Sequence, residues 1–139
     1  RDMMRKILLI PVLILLSSPV ISQITEPQAT VVNMDAVEPL IFGDVTVRAV
    51  AANTVRVMRL ELPEGIKSPY HNHADEEIFL LLEGRLRVIG GDNTFTMSPG
   101  DVFVVPPFVP HQLEALVDSV VIESGGPGPL LDLFRPQTP

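Results

Sequence analysis

From Leu40 onward the 139-residue chain alternates short apolar runs with turn residues, and that rhythm points to an all-β fold. Eight runs stand out: Val45–Val50, Thr54–Leu62, Glu76–Leu82, Arg85–Ile89, Thr94–Met97, Val102–Val105, Gln112–Val117 and Ser119–Glu123. Between them lie Pro63-Glu64-Gly65, Glu83-Gly84, Gly90-Gly91-Asp92-Asn93, Ser98-Pro99-Gly100-Asp101 and Pro106-Pro107. Gly and Pro at such points interrupt helices and admit tight turns. The chain holds 46% apolar residues but no Trp, so its core must come from Val, Ile and Leu, the first two strand formers. Strands this short and evenly spaced predict a sandwich or barrel. Gly90 to Asn93 predicts a hairpin connection. Ile78-Phe79-Leu80-Leu81-Leu82 is apolar on both parities, so its outer face needs a cover. A second subunit is the expected cover, which makes a homodimer the expected assembly.

The first 22 residues have the order of an export signal. Arg5 and Lys6 precede an apolar run from Ile7 to Leu16, then Ser17-Ser18-Pro19 break it, and Val20-Ile21-Ser22 offers a cleavage point before Gln23. The run is shorter than the roughly 20 apolar residues that a spanning helix requires. Cleavage, retention as an anchor and use as a first strand are the competing outcomes, and cleavage is the expectation. Removal of residues 1–22 leaves 7 basic and 16 acidic residues, so the net charge moves from −7 to −9. The expected product is an acidic protein of the periplasm or the exterior, with no stable membrane span. Its charge and the lack of a basic cluster argue against nucleic-acid binding. The absence of Cys excludes disulfides, thiolate metal sites and cysteine nucleophiles. Residues 23–39 read as a polar lead-in, 40–124 as the folded domain and 125–139 as a tail.

All three histidines of the chain, His71, His73 and His111, bear on chemistry. On an extended strand His71 and His73 leave the same face, and Glu77 keeps that parity. Two imidazoles and a carboxylate without thiolates suit a divalent metal such as Fe, Mn, Ni, Cu or Zn. His111 is the available fourth nitrogen ligand. A pair of solvated loop histidines is the plainer reading of His71 and His73 taken alone, and the surrounding frame decides against it.

Gly65, His71, His73, Glu77 and Gly84 stand at spacings that resemble the first motif of the cupin family at every position. Gly100, Pro106 and His111 resemble its second motif, with Phe108 in place of a Gly and Ala115 in place of an Asn. The resemblance implies a small jelly-roll β-barrel of six to eight strands, with His71, His73, Glu77 and His111 as ligands of an internal metal. Phe79, Leu81, Phe103, Val105, Val109 and Leu113 share parity with the ligands or flank them, so they are expected to line an apolar pocket or to pack as core. Glu76 has the opposite parity and is expected to face solvent. Glu77 either binds the metal or serves as the catalytic base. Tyr70 is expected at the rim, and Arg56 and Arg59 at the surface. The shift of apolar parity from Val55 and Val57 to Leu60 and Leu62 predicts a bulge in that strand.

The cupin scaffold serves dioxygenation, decarboxylation, isomerisation, sugar-acid tautomerisation and plain binding, so fold alone does not decide the reaction. Three His with one Glu looks like the oxygen-dependent members, and the expected activity is that of a metal-dependent dioxygenase acting on a small organic substrate. A sugar-acid isomerase or tautomerase is the alternative within enzymes. Members of that type use an acid, an aromatic and an Arg after the last motif, and Val121 to Pro127 holds only the acid, Glu123. The third reading is a metal-containing binding module without turnover.

Overall fold

The computed structural model describes residues 28–126. The export segment and the tail beyond Gly126 lie outside the described residues. Nine strands follow a short 3-10 turn at Met34–Ala36: β1 Leu40–Phe42, β2 Val45–Ala51, β3 Arg56–Leu62, β4 Glu77–Glu83, β5 Leu86–Gly90, β6 Asn93–Met97, β7 Val102–Val105, β8 His111–Ala115 and β9 Ser119–Gly125. They form two antiparallel sheets, one of six strands in the order β1-β2-β3-β9-β4-β7 and one of three in the order β6-β5-β8. This is a jelly-roll barrel, within the sandwich-or-barrel class that the turn rhythm predicts and of the type that the cupin resemblance implies. Among the described residues no helix is long and apolar enough to cross a membrane.

The eight predicted strands are all present, and β1 is an addition. Three residues are too few to give a period, so β1 escapes a pattern search, yet its backbone pairs with Val45 to Val47 on β2. The predicted hairpin joins β5 and β6, where Gly90 pairs with Asn93 and Gly91 takes a positive φ of 57°. The lead-in is tied to the barrel by an ion pair between Asp35 and Arg59.

Alternate residues of each long strand point between the sheets, as the period of two requires. Met58, Leu81, Leu86, Val47, Val88, Val105 and Val121 are the large apolar side chains packed there with almost no exposure. The bulge expected in the third strand is absent. β3 pairs without interruption with β2 on one side and β9 on the other, and Arg56, Met58, Leu60 and Leu62 all face inward. The strand begins at Arg56 rather than Thr54, so Val55 precedes it and no change of parity is needed. The register irregularity falls instead between Leu81 and Glu83 on β4, opposite β9.

The expectation of a surface position fails for Arg56, which is 4% exposed. A run of residues read one strand at a time cannot show that two carboxylates on neighbouring strands stand ready to receive a guanidinium. Arg59, on the opposite parity, is partly exposed as expected.

Candidate metal centre

His71 and His73 lie in the segment leading into β4, not on a strand. The parity argument that joined them to Glu77 along one extended face therefore does not apply, because the chain bends at Ala74 and Asp75. Their placement comes from two backbone devices. His71 and His111 form an isolated antiparallel bridge, with His71 N–H donating to the His111 carbonyl at 3.2 Å and the reverse bond at 2.8 Å. The Phe108 N–H donates to the His73 carbonyl at 2.7 Å. Glu77 opens β4 and His111 opens β8, both buried.

The three imidazole rings cluster with centroid separations of 5.5, 4.4 and 5.0 Å. Each ring donates Nδ1–H to a backbone carbonyl: His71 to Pro69 at 2.9 Å, His73 to Asp75 at 2.8 Å and His111 to Val109 at 2.9 Å. A carbonyl can only accept, so in the neutral ring Nδ1 carries the proton and Nε2 presents a lone pair. All three Nε2 atoms are buried without a hydrogen-bond partner. One nitrogen from each ring lies within 4.8 Å of those of the other two.

Glu77 Oε2 approaches His73 Nε2 at 3.0 Å and His111 Nε2 at 3.3 Å. Lone pairs on a carboxylate and two imidazoles repel each other, so this convergence calls for a cation among them, either a shared proton or a metal ion. Burial alone would raise the Glu77 pKa, but the imidazoles of His111 and His73 outweigh it and hold the carboxyl below its usual value of 4.5. Burial lowers His71 below 6.5 and keeps its imidazole neutral near pH 7, as a metal ligand must be. Three fixed nitrogen donors and one carboxylate suit a divalent first-row metal. The donor set fits such an ion.

A family model described as "Cupin domain" matches residues 58–124, a segment that contains every residue of this cluster. The matched segment is a cupin domain. The chain's fold is also that of an RmlC-like cupin from Shewanella frigidimarina, with 18% identity, a TM-score of 0.68, and coverage of 76% of this chain and 96% of that one. The structure of KdgF from a Halomonas species is similar over 68% of this chain and 92% of that one, at 24% identity and a TM-score of 0.64. A salicylate 1,2-dioxygenase from Pseudoaminobacter salicylatoxidans, also solved with gentisate, shares the fold over 63% of this chain but only 28% of its own, at 22% identity and a TM-score of 0.56. An uncharacterized protein of Methanocaldococcus jannaschii is 37% identical over 54 residues, which is 38% of this chain. This chain matches less than half of that protein's length, 43%.

Of the two departures from the cupin motifs, the one at Phe108 has a structural account. Phe108 sits at φ 63°, the left-handed conformation that a Gly would take there, so the turn is kept at a cost of roughly 1–2 kcal/mol. Ala115 is buried on β8, where its backbone pairs with Gly65 and Ile66.

Beside the histidines opens a cavity of about 540 Å³. Its walls are mostly apolar, with Phe42, Leu60, Ile66, Phe79 and Leu113 among them, while His71, His111, Glu77 and Glu123 supply polar groups. Phe79 and Leu113 belong to the core and line the cavity as well, whereas Leu81, Phe103 and Val105 are core alone. Val109 packs against that core without lining the cavity. Tyr70 and Glu76 are exposed. The wall from β1, with Ile41 and Phe42, is missing from the sequence reading because the strand itself was too short to detect.

The sequence reading also missed the Arg56–Glu123 pair. Arg56 Nη2 lies 3.0 Å from Glu123 Oε1 and 3.8 Å from Glu77 Oε1, with all three side chains almost wholly buried. Burial, with the neighbouring charge of Glu77, pushes Glu123 up to about 8 against the opposing pull of Arg56. The signal that could have found the pair is the presence of an Arg and a Glu at inward parity on two strands that the fold makes neighbours.

Proposed function

We propose that this cupin is an exported, metal-dependent oxygenase, of dioxygenase type, acting on a small organic substrate with a planar, largely apolar body. The observation that carries the reading is the meeting of three partnerless imidazole nitrogens and Glu77 at a cavity whose walls are otherwise mostly apolar. His71, His73, Glu77 and His111 would hold the metal, with Glu77 also the candidate base. A bound divalent metal would supply Lewis acidity and, for a redox-active ion, the electron transfer that dioxygen chemistry needs. The chain's own part is to fix the donors and exclude water. The Nδ1–H bonds set the tautomer and orientation of each ring before any metal arrives. A volume of about 540 Å³ lies within the range of sites for single small molecules. The apolar walls also favour an aromatic or aliphatic substrate over a heavily hydroxylated one.

The shared fold with a salicylate dioxygenase agrees with this reading but is a likeness of architecture only. A sugar-acid isomerase is the second reading, and the Glu123 carboxyl in the cavity wall favours it. Arg56 is already committed to Glu123 and Glu77, and Lys67 in the cavity wall faces Glu114 at 3.4 Å, so both cations near an acidic sugar would already have carboxylate neighbours. Export rests on the order of residues 1–22 in the sequence. A homodimer is supported by Ile78, Val102 and Val104, exposed on the outer face of β4 and β7.

The test is oxygen uptake by protein loaded in turn with Fe, Mn, Ni or Cu, with a flavonol or a catechol as substrate. Uptake matched by product supports the oxygenase. Conversion of an unsaturated uronate without oxygen consumption would favour the isomerase. Metal binding with no turnover of phenols, oxalate or uronates would leave a binding module.

A further inference from the structure

At one level of the six-stranded sheet, the neighbouring strands β3, β9 and β4 place Arg56, Gly125 and Glu77 close together. Arg56 pairs with Gly125 in register. A Cβ on Gly125 would lie 3.0 Å from Glu77 Cγ and 3.4 Å from its Oε1. Any larger residue would therefore stand against Glu77, and glycine leaves room for Arg56 to approach from the far side of β9. The next inward position on β9 is Glu123, paired in register with Met58 and Phe79.

The contacts divide the Glu77 carboxylate. Its Oε1 faces Arg56 Nη2 at 3.8 Å, and its Oε2 faces His73 and His111 Nε2 at 3.0 and 3.3 Å. Glu123 anchors the same guanidinium nitrogen at 3.0 Å, so the cation is itself held in place. We propose that Arg56 is a positioning residue for Glu77: reaching past Gly125, it retains one carboxylate oxygen so that the other alone is presented to the imidazole nitrogens. The inference rests on the metal-site reading above and adds a component that the ligand motif does not contain.

The physical reason is the weak torsional preference at the end of a glutamate side chain, which by itself does not fix which oxygen points where. A buried cation 3.8 Å from one oxygen favours the rotation that turns that oxygen towards it. One guanidinium nitrogen, Nη2, faces Glu123 and Glu77 together, and arginine's weakly hydrated, always charged head suits such a buried place better than lysine's compact ammonium.

Charge and positioning predict opposite signs. Removal of a cation beside a metal site should tighten binding of Co²⁺ if Arg56 acts only through its charge. If Arg56 positions Glu77, its removal should weaken binding by about 10–100-fold, the range for supporting residues behind metal ligands. The experiment is titration of the full chain with Co²⁺, reading both the dissociation constant and the visible ligand-field bands. Arg56→Met and Gly125→Ala should each weaken binding and shift the bands, and Arg56→Lys should recover part of the loss. Circular dichroism checks that each variant is folded. A folded Arg56→Met protein that binds Co²⁺ as tightly as wild type or more tightly, with unchanged bands, would overturn the proposal. Should Arg56→Met fail to fold, Arg56→Lys decides, because it keeps the charge and alters only the reach and shape of the cation, and affinity and bands unchanged from wild type there would overturn the proposal equally. Wild-type protein that takes up no Co²⁺ would sink the metal-site reading itself, a result distinct from any failure in the variants.

Discussion

Gly65 and Gly84 belong to the same motif, yet the structure assigns them different tasks, and alanine substitution separates the two. Gly65 has φ 84° and nothing within 4 Å of the position a Cβ would take. Gly65→Ala should therefore cost only the strain of an L-residue in a left-handed conformation, roughly 1–2 kcal/mol. Gly84 has φ 91°, and a Cβ there would strike the Asp118 carbonyl and Ser119 Oγ and lie 2.7 Å from Ser119 Cα. Two of those atoms are backbone, so no rotamer change relieves the clash. Ser119 Oγ also accepts from Arg85 N–H at 3.1 Å and donates to the Val117 carbonyl at 2.8 Å, bonds that displacement would break. Overpacking adds roughly 1–3 kcal/mol, and a lost hydrogen bond about 1 kcal/mol. The total for Gly84→Ala is about 3–6 kcal/mol, a large part of the 5–15 kcal/mol that a domain typically holds. Urea unfolding of both variants beside wild type measures the difference. A domain near 100 residues moves its Tm by about 4–8 °C per kcal/mol, so the two should also separate clearly on heating. Equal costs, or a larger cost at Gly65, would refute the assignment of a contact role to Gly84.

Other outcomes follow from the site and the cavity. In metal-free protein the folded state keeps a proton on Glu123 that the unfolded chain releases above about 4.5, so stability should fall as pH rises from 4.5 towards 8. Glu123→Gln should remove that component, and denaturation curves for the two proteins that stay parallel across the window would contradict it. Leu60→Phe adds bulk at a position that is both core and cavity wall, so it should weaken binding of a small aromatic ligand while leaving Co²⁺ affinity unchanged. Calorimetry with each ligand checks that separation, and loss of both together would place the metal and the organic ligand differently from this account.

Much of this was legible in the chain because the informative features were local. Turn residues at regular intervals gave eight strands, and motif spacing brought four ligand candidates to one place. The four side chains meet in space although the parity argument for it fails: His71 and His73 share no strand with Glu77, and their rings are oriented by carbonyls of Pro69 and Asp75. What was illegible depends on which strands become neighbours. Arg56 and Glu123 are 67 residues apart, and β3 and β9 meet only after the barrel closes. Taken alone, Arg56 reads as a surface cation, the usual fate of an arginine. β1 was invisible for another reason, since three residues carry no period, although they supply part of the cavity wall. Phe108 shows the converse case, a residue that breaks a motif while its backbone keeps the motif's geometry.

The claim on which the account depends is that His71, His73, Glu77 and His111 hold one divalent metal. Elemental analysis of purified protein, after loading and removal of free ions, tests it most directly when wild type and His73→Ala are measured side by side. The account predicts about one metal per chain in wild type and a content far below one in the variant, with both proteins folded. Stoichiometric metal retained by His73→Ala would contradict it.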